Sequence, residues 1–65
     1  MLFIDVREDM YLTDGWSLLE VIARRIGDHR APGTPRKVVC LDALTEQMVV
    51  LSEQDLAGYW ELQAW

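Results

Sequence analysis

Residues 38–51 have the sequence VVCLDALTEQMVVL, in which two apolar runs flank a polar segment. Short runs rich in β-branched residues and bounded by polar turn residues are typical of β-strands. We therefore predict strands at 38–41 and 48–51, joined as a hairpin by a turn within 42–47. Cys40 falls inside the first strand, where a small buried hydrophobe is expected rather than a reactive thiol.

The segment before the hairpin predicts a strand followed by a helix. Residues 2–7 alternate, with Leu2, Ile4 and Val6 on one face, as in a half-buried strand. Residues 13–27 predict an amphipathic helix, because they contain apolar residues at helical spacing and end at Gly27. The helix would begin with an N-cap at Thr13 or Asp14, or alternatively with a capping box from Ser17 to Glu20. The apolar stripe comprises Leu19, Ile22, Ala23 and Ile26, with Trp16 beside it on the core side.

The segment after the hairpin predicts one helical turn and a last strand. Ser52 is a suitable N-cap, with Asp55 at the third helical position, and Gly58 ends the turn. Residues 59–65 alternate again, which places Trp60, Leu62 and Ala64 towards the core. Tyr11, Tyr59 and Trp65 receive no inward assignment, and Trp65 could pack on its own sheet or contact a partner.

These elements give a single α+β domain over residues 1–65, in the order strand, helix, strand, strand, short turn, strand. We expect a small antiparallel or mixed sheet with one amphipathic helix packed on it. A loop at 28–35, which contains both prolines of the chain, joins the helix to the hairpin. With no leader peptide or long apolar segment in the sequence, we expect a cytoplasmic protein with no membrane partner.

Charges are sorted along the chain. Residues 1–23, 24–37 and 38–65 carry net charges of −4, +4 and −5, which give the overall charge of −5. Sorted charge on a domain this small favours a binding function through electrostatic steering.

Residues that could support catalysis are sparse, so we expect no enzyme. His29 is the only histidine and lies in the proline-containing loop beside Asp28, as a solvated residue would. One histidine and one cysteine do not make a metal site, and no glycine-rich phosphate loop is present. The carboxylates Asp5, Glu8, Asp9, Asp42 and Glu46 are explained by solvated strand ends and turns. We therefore expect no cofactor and no metal.

The acidic C-terminal half gives the sharpest functional hypothesis. Carboxylates two residues apart on a strand face are about 6.6 Å apart, close to the spacing of successive nucleic-acid phosphates. An anionic ridge of this density could occupy a cationic groove that normally binds nucleic acid. The predicted contact set is Asp42, Glu46, Glu53, Asp55 and Glu61. The alternative is a solvated acidic surface that keeps a small protein soluble.

Two other binding functions remain open. The protein itself is expected to be a monomer or a weak homodimer. The first alternative is a structural or regulatory adaptor that homodimerises through its C-terminal strand Tyr59–Trp65. The second is a nucleic-acid binder that uses Arg30, Arg36 and Lys37. No aromatic residue lies among these cations to stack on bases, and the flanking acidic blocks would repel a phosphate backbone, so we expect no direct nucleic-acid partner.

The chain resembles small anti-CRISPR proteins of phages and mobile elements, such as those directed at type I surveillance complexes. The resemblance rests on its length, its acidic blocks at 1–23 and 38–65, and its lack of a catalytic constellation. The resemblance implies a stoichiometric inhibitor in a bacterial host cell that acts by binding, in some cases by blocking a DNA-binding surface. The basic segment 24–37 departs from a uniformly acidic DNA mimic.

Overall fold

The computed structural model describes residues 1–25 and 36–63. These residues form a 3-10 turn at Phe3–Asp5, strands β1 (Tyr11–Thr13), β2 (Leu18–Arg25), β3 (Lys37–Asp42) and β4 (Met48–Ser52), helix α1 (Glu53–Leu56) and strand β5 (Trp60–Glu61). The five strands make one antiparallel sheet in the order β4-β3-β2-β1-β5. The loop predicted at 28–35, with His29 and Arg30, and the terminal Ala64 and Trp65 lie outside the described residues.

The predicted hairpin is confirmed. Strands β3 and β4 pair in antiparallel register, with Val38 opposite Leu51 and Cys40 opposite Val49. Cys40 is fully buried, as expected for a small hydrophobe in a core strand. The polar segment between the two apolar strands forms the turn of the hairpin.

The predicted amphipathic helix is wrong, because its residues form strand β2. The apolar spacing that suggests a helix comes from a β-bulge between Val21 and Ala23, where the register against β3 shifts. Before the bulge, Leu19 and Val21 face the core with the two-residue period of a strand. The extra residue, Ile22, changes the phase and imitates a 3.6-residue repeat. The domain is thus a sheet with one short helix, and no long helix covers the sheet among the described residues.

The predicted N-terminal strand is also wrong. Residues 3–5 form a 3-10 turn that buries Phe3 and Val6, whereas Leu2 and Ile4 are 68% and 69% exposed. Residues three apart lie on the same side of a 3-10 helix, so this turn buries both side chains without a sheet partner.

The core lies on one side of the sheet. One cluster joins the buried strand residues to Phe3, Val6 and Leu56, the last from α1. The 3-10 turn and the single turn of α1 therefore take the place of the expected helix. As predicted, α1 begins with a capping box, in which Ser52 and Asp55 exchange backbone and side-chain hydrogen bonds of 2.9 and 3.1 Å. No helix of the described residues is long and apolar enough to cross a membrane.

Candidate binding surface

Strand register divides the sheet into a buried inner face and an open outer face. Directly opposite residues of adjacent strands share a face. Val39 lies between Ala23 and Val50, and Leu41 lies between Glu20 and Met48. We call this side the outer face; its described members are Tyr11, Thr13, Leu18, Glu20, Ala23, Arg25, Lys37, Val39, Leu41, Met48, Val50, Ser52 and Trp60.

The outer face presents several exposed apolar side chains. Met48, Val50 and Trp60 are 57%, 54% and 52% exposed, although each lies on a strand. Trp60 pairs with Thr13, so it faces away from the core, and its predicted core position is wrong. Trp16, also predicted in the core, is 90% exposed. No other described element covers this face, and a row of exposed large apolar side chains is typical of a surface that binds another protein.

One end of the sheet is acidic. The register places Asp42 opposite Leu19, and the backbone amide of Ala43 donates to the carbonyl of Leu18 at 2.8 Å. Asp14 follows Thr13, which pairs with Leu18 at the same end. Glu46 closes the hairpin turn, where its amide donates to the Asp42 carbonyl at 2.7 Å. We call Asp14, Asp42 and Glu46 the acidic end.

The structure divides the five predicted contact carboxylates into three groups. Asp42 and Glu46 lie together in the β3–β4 turn. Glu53 and Asp55 lie in α1 at the other end of β4, about 17 Å away by strand rise. Glu61 lies on β5, at the edge of the sheet opposite β4. The five therefore do not form one continuous ridge.

Three of these carboxylates also have structural partners. Asp42 accepts hydrogen bonds from the amides of Leu44 and Thr45, at 2.8 and 3.1 Å. Asp55 belongs to the capping box of α1. Glu53 lies 3.8 Å from Arg36, and both side chains are about half-exposed. An exposed ion pair of this kind contributes little to folding stability. Within the described part of the chain, the side chains of Glu46 and Glu61 have no hydrogen bond or ion pair.

Asp14 belongs to the acidic end although the sequence suggested only a helix cap. Its carboxylate accepts hydrogen bonds from the amides of Trp16 and Ser17, at 2.9 and 2.8 Å, and these bonds lower its pKa. The same bonds would cap a helix, but here they close the turn between β1 and β2. Gly15, with φ of +98°, supplies the positive φ of this turn. The Asp-Gly pair between two apolar runs was the available signal for a hairpin.

The opposite end of the sheet is basic. Arg25 pairs with Lys37 across β2 and β3, and Arg24 and Arg36 are next to them in the chain. The charge blocks of the sequence are therefore partly separated in space as well, since cations collect at one end of the strands and the turn carboxylates at the other.

The described residues contain no group of three or more histidine, cysteine or acidic side chains that could hold a metal ion. Burial raises the pKa of the Cys40 thiol to about 11, which disfavours the nucleophilic thiolate. Burial, followed by the charges of Asp14 and Asp55, raises the pKa of the Tyr59 phenol.

Comparison with known proteins finds no match: no protein-family model fits the chain, and no curated protein or solved structure shows significant similarity to it.

Proposed function

We propose that this protein is a non-enzymatic binding domain that docks its outer face on another protein. The observation that carries the proposal is the exposure of Met48, Val50 and Trp60 on one face of a five-stranded sheet. Removing such side chains from water favours association, although the net stability of a complex also depends on the entropy lost on binding. The acidic end borders this face and would favour a partner with a cationic surface.

The more specific form of the proposal is stoichiometric inhibition of a nucleic-acid-handling complex, such as a CRISPR surveillance complex. Its support is the charge of the acidic end, in which the Glu46 carboxylate is not engaged by other described side chains. Because the five predicted carboxylates are dispersed, the proposed contact combines apolar burial with a local anionic group, and it does not require an extended copy of a DNA backbone.

Glu46 gives additional support. Its φ of 61° lies in the left-handed region, which glycine and asparagine adopt more readily than glutamate. A glutamate there costs folding stability without an observed structural contact from its side chain. Strain of this kind is consistent with a residue kept for binding.

The experiment is an affinity capture from bacterial lysate at low and high salt, with the wild-type protein and three lysine variants. Val50→Lys places a charge in the outer face, and Glu46→Lys reverses the acidic end. Gln54→Lys, on exposed α1, is the matched control for an added cation. We expect one nucleic-acid-handling complex to be retained by the wild type and Gln54→Lys, and lost with Val50→Lys.

Glu46→Lys should weaken capture and reduce its salt dependence, because a charge-assisted contact is replaced by repulsion. Equal capture by all four proteins would contradict the outer face as the docking surface. Loss of capture with Val50→Lys alone would retain the outer face and reject the role of the acidic end.

A second candidate function is an adaptor that homodimerises through its C-terminal strand. Trp60 favours it, since this half-exposed aromatic side chain lies on β5 at the edge of the sheet. Light scattering on the eluting protein tests it. A dimer of the wild type that becomes a monomer in Trp60→Ser supports the adaptor, and a monomeric wild type contradicts it.

A further inference from the structure

Phe3 lies beside two arginines, one in β2 and one that immediately precedes β3. The guanidinium carbon of Arg24 is 6.0 Å from the centroid of the Phe3 ring, and that of Arg36 is 5.6 Å away. Cations within about 6 Å of an aromatic ring are attracted to it. Two like charges thereby gather beside one buried side chain, at the basic end of the sheet.

The β-bulge of β2 creates this arrangement. After the register shift, Arg24 pairs with the fully buried Val38 and so lies on the inner side of the sheet. Without the bulge, the alternation set by Leu19 and Val21 would turn Arg24 to the outer face. Arg25, its neighbour, pairs with Lys37 and lies on the outer side.

These side chains line a cavity of about 210 Å³, formed by Phe3, Ile4, Arg24 and Arg36. Its apolar part is Phe3 and the exposed Ile4, and its polar part is the pair of guanidinium groups. Among residues 1–25 and 36–63, the one carboxylate in an ion pair with either arginine is Glu53, 3.8 Å from Nε of Arg36. That contact is long for a charge-assisted hydrogen bond, and it leaves the outer nitrogens of Arg36 available among the described groups.

We propose that this cavity binds a phosphate monoester group between Arg24 and Arg36. Each guanidinium presents a planar fork of N–H donors that suits phosphate oxygens. A dianionic phosphoryl group balances both arginines, whereas a carboxylate or a phosphodiester carries only one charge. The side chain of Ile4 then provides an apolar contact for the organic substituent of the phosphate monoester. The inference goes beyond the proposed function, since the cavity lies at the basic end and on the inner side of the sheet.

The test is a titration followed by amide NMR at constant ionic strength, with inorganic phosphate and phenyl phosphate as probes. We expect saturable shifts at Phe3 and Ile4. Arg24→Gln and Arg36→Gln should each weaken binding by about tenfold or more, the effect of losing a charge-assisted hydrogen bond. Arg25→Gln is the matched control, with the same loss of charge one residue away but on the other side of the sheet.

The two probes distinguish a free anion from an ester. Equal affinity indicates recognition of phosphate alone, and tighter binding of phenyl phosphate indicates an apolar substituent against Ile4. Arg24→Lys separates geometry from charge, because it keeps the cation and loses the fork, and we expect it to bind as weakly as Arg24→Gln. Glu53→Gln should strengthen binding by freeing Arg36.

Absence of saturable binding to either probe would overturn the proposal. An equal loss with Arg25→Gln would also overturn it, because it would show general attraction to the basic end. Tighter binding of a single-stranded oligonucleotide that lacks terminal phosphates would assign this end to a nucleic-acid backbone and reject a monoester site.

Discussion

Asp14 and Asp42 occupy equivalent positions in two turns at the same end of the sheet. Each carboxylate accepts hydrogen bonds from the backbone amides two and three residues further along the chain, at distances between 2.8 and 3.1 Å. The hydrogen bonds that close the turns therefore also hold two negative charges in fixed positions at one end of the sheet. Local turn chemistry and the electrostatics of the proposed binding surface depend on the same side chains.

Asp14 should make stability depend on pH in the acid range. The amides of Ser17 and then Trp16 hold its pKa below 3.8 in the folded protein. A carboxyl with a lowered folded pKa stabilises the fold above its unfolded pKa, and this contribution is lost as pH falls through the folded value. We expect Asp14→Asn to lose less stability than the wild type between about pH 5 and pH 2, because its amide does not titrate.

Thermal unfolding monitored by circular dichroism at a series of pH values measures this difference. Glu61→Gln is the control, since it removes one carboxyl from an exposed position without a described side-chain partner. Wild type and Asp14→Asn with parallel pH profiles would show that the two amides do not stabilise the charged form.

The capping box of α1 should contribute measurably to stability. Ser52→Ala or Asp55→Ala removes one of the two reciprocal hydrogen bonds, and loss of a cap costs about 1 kcal/mol. Denaturant unfolding should show this loss for both variants, with Gln54→Ala as the control on the same helix. A smaller effect at Ser52 and Asp55 than at Gln54 would contradict the role of the box. Asp55 is consequently unsuitable for charge reversal as a test of binding alone.

Glu46→Gly should stabilise the protein and weaken partner binding. Glycine adopts the φ of 61° without the steric cost that glutamate has, so a gain of up to about 1 kcal/mol in the free energy of unfolding is expected. The same change removes a carboxylate from the acidic end. Urea unfolding and affinity capture, performed on the same preparations, measure the two effects. Glu46→Gln separates them, because it removes the charge and keeps the strain; unchanged capture by both variants would exclude Glu46 from the contact.

Cys40 should resist alkylation in the folded protein. With its pKa raised to about 11, about one thiol in a thousand is ionised at pH 8, and the side chain is fully buried. Mass spectrometry after iodoacetamide treatment should find little modification in native buffer and rapid modification in denaturant. Rapid labelling under native conditions would show that β3 opens readily or that the thiol is accessible.

The parts of the fold that were predictable are those fixed by neighbouring residues. The β3–β4 hairpin followed from two apolar runs and a turn, and the start of α1 followed from Ser52 and Asp55. Strand β2 was misassigned because one extra residue at Ile22 converts a two-residue period into an apparent helical one. The apolar period alone does not distinguish a bulged strand from a short amphipathic helix, since the deciding interactions are the hydrogen bonds of β2 to β1 and β3. The one local sign of a hairpin was the Asp14-Gly15 pair.

The arrangement of the candidate site depended on contacts between distant parts of the chain. The types of charge were evident in the sequence, but their distances are set by strand order. Because the chain passes from β4 at one edge of the sheet to β5 at the other, Glu53 and Glu61 are separated by the width of the sheet. Asp14 and Asp42, far apart in sequence, come to the same end. The exposure of Trp60 likewise follows from its pairing with Thr13 rather than from its own alternating segment.

Val50 and Leu51 are adjacent in β4 but face opposite sides of the sheet. Substitution of Leu51 should therefore lower stability, whereas substitution of Val50 should lower partner binding. Leu51 is buried, and Leu51→Ala should lower the free energy of unfolding by about 2–5 kcal/mol. Val50→Thr, which keeps β-branching on the outer face, should change stability by no more than about 0.5 kcal/mol and should weaken capture of the partner. Urea unfolding followed by tryptophan fluorescence provides the stabilities. If Val50→Thr destabilised the isolated protein as much as Leu51→Ala, the outer face would be covered within the protein itself and unavailable for docking.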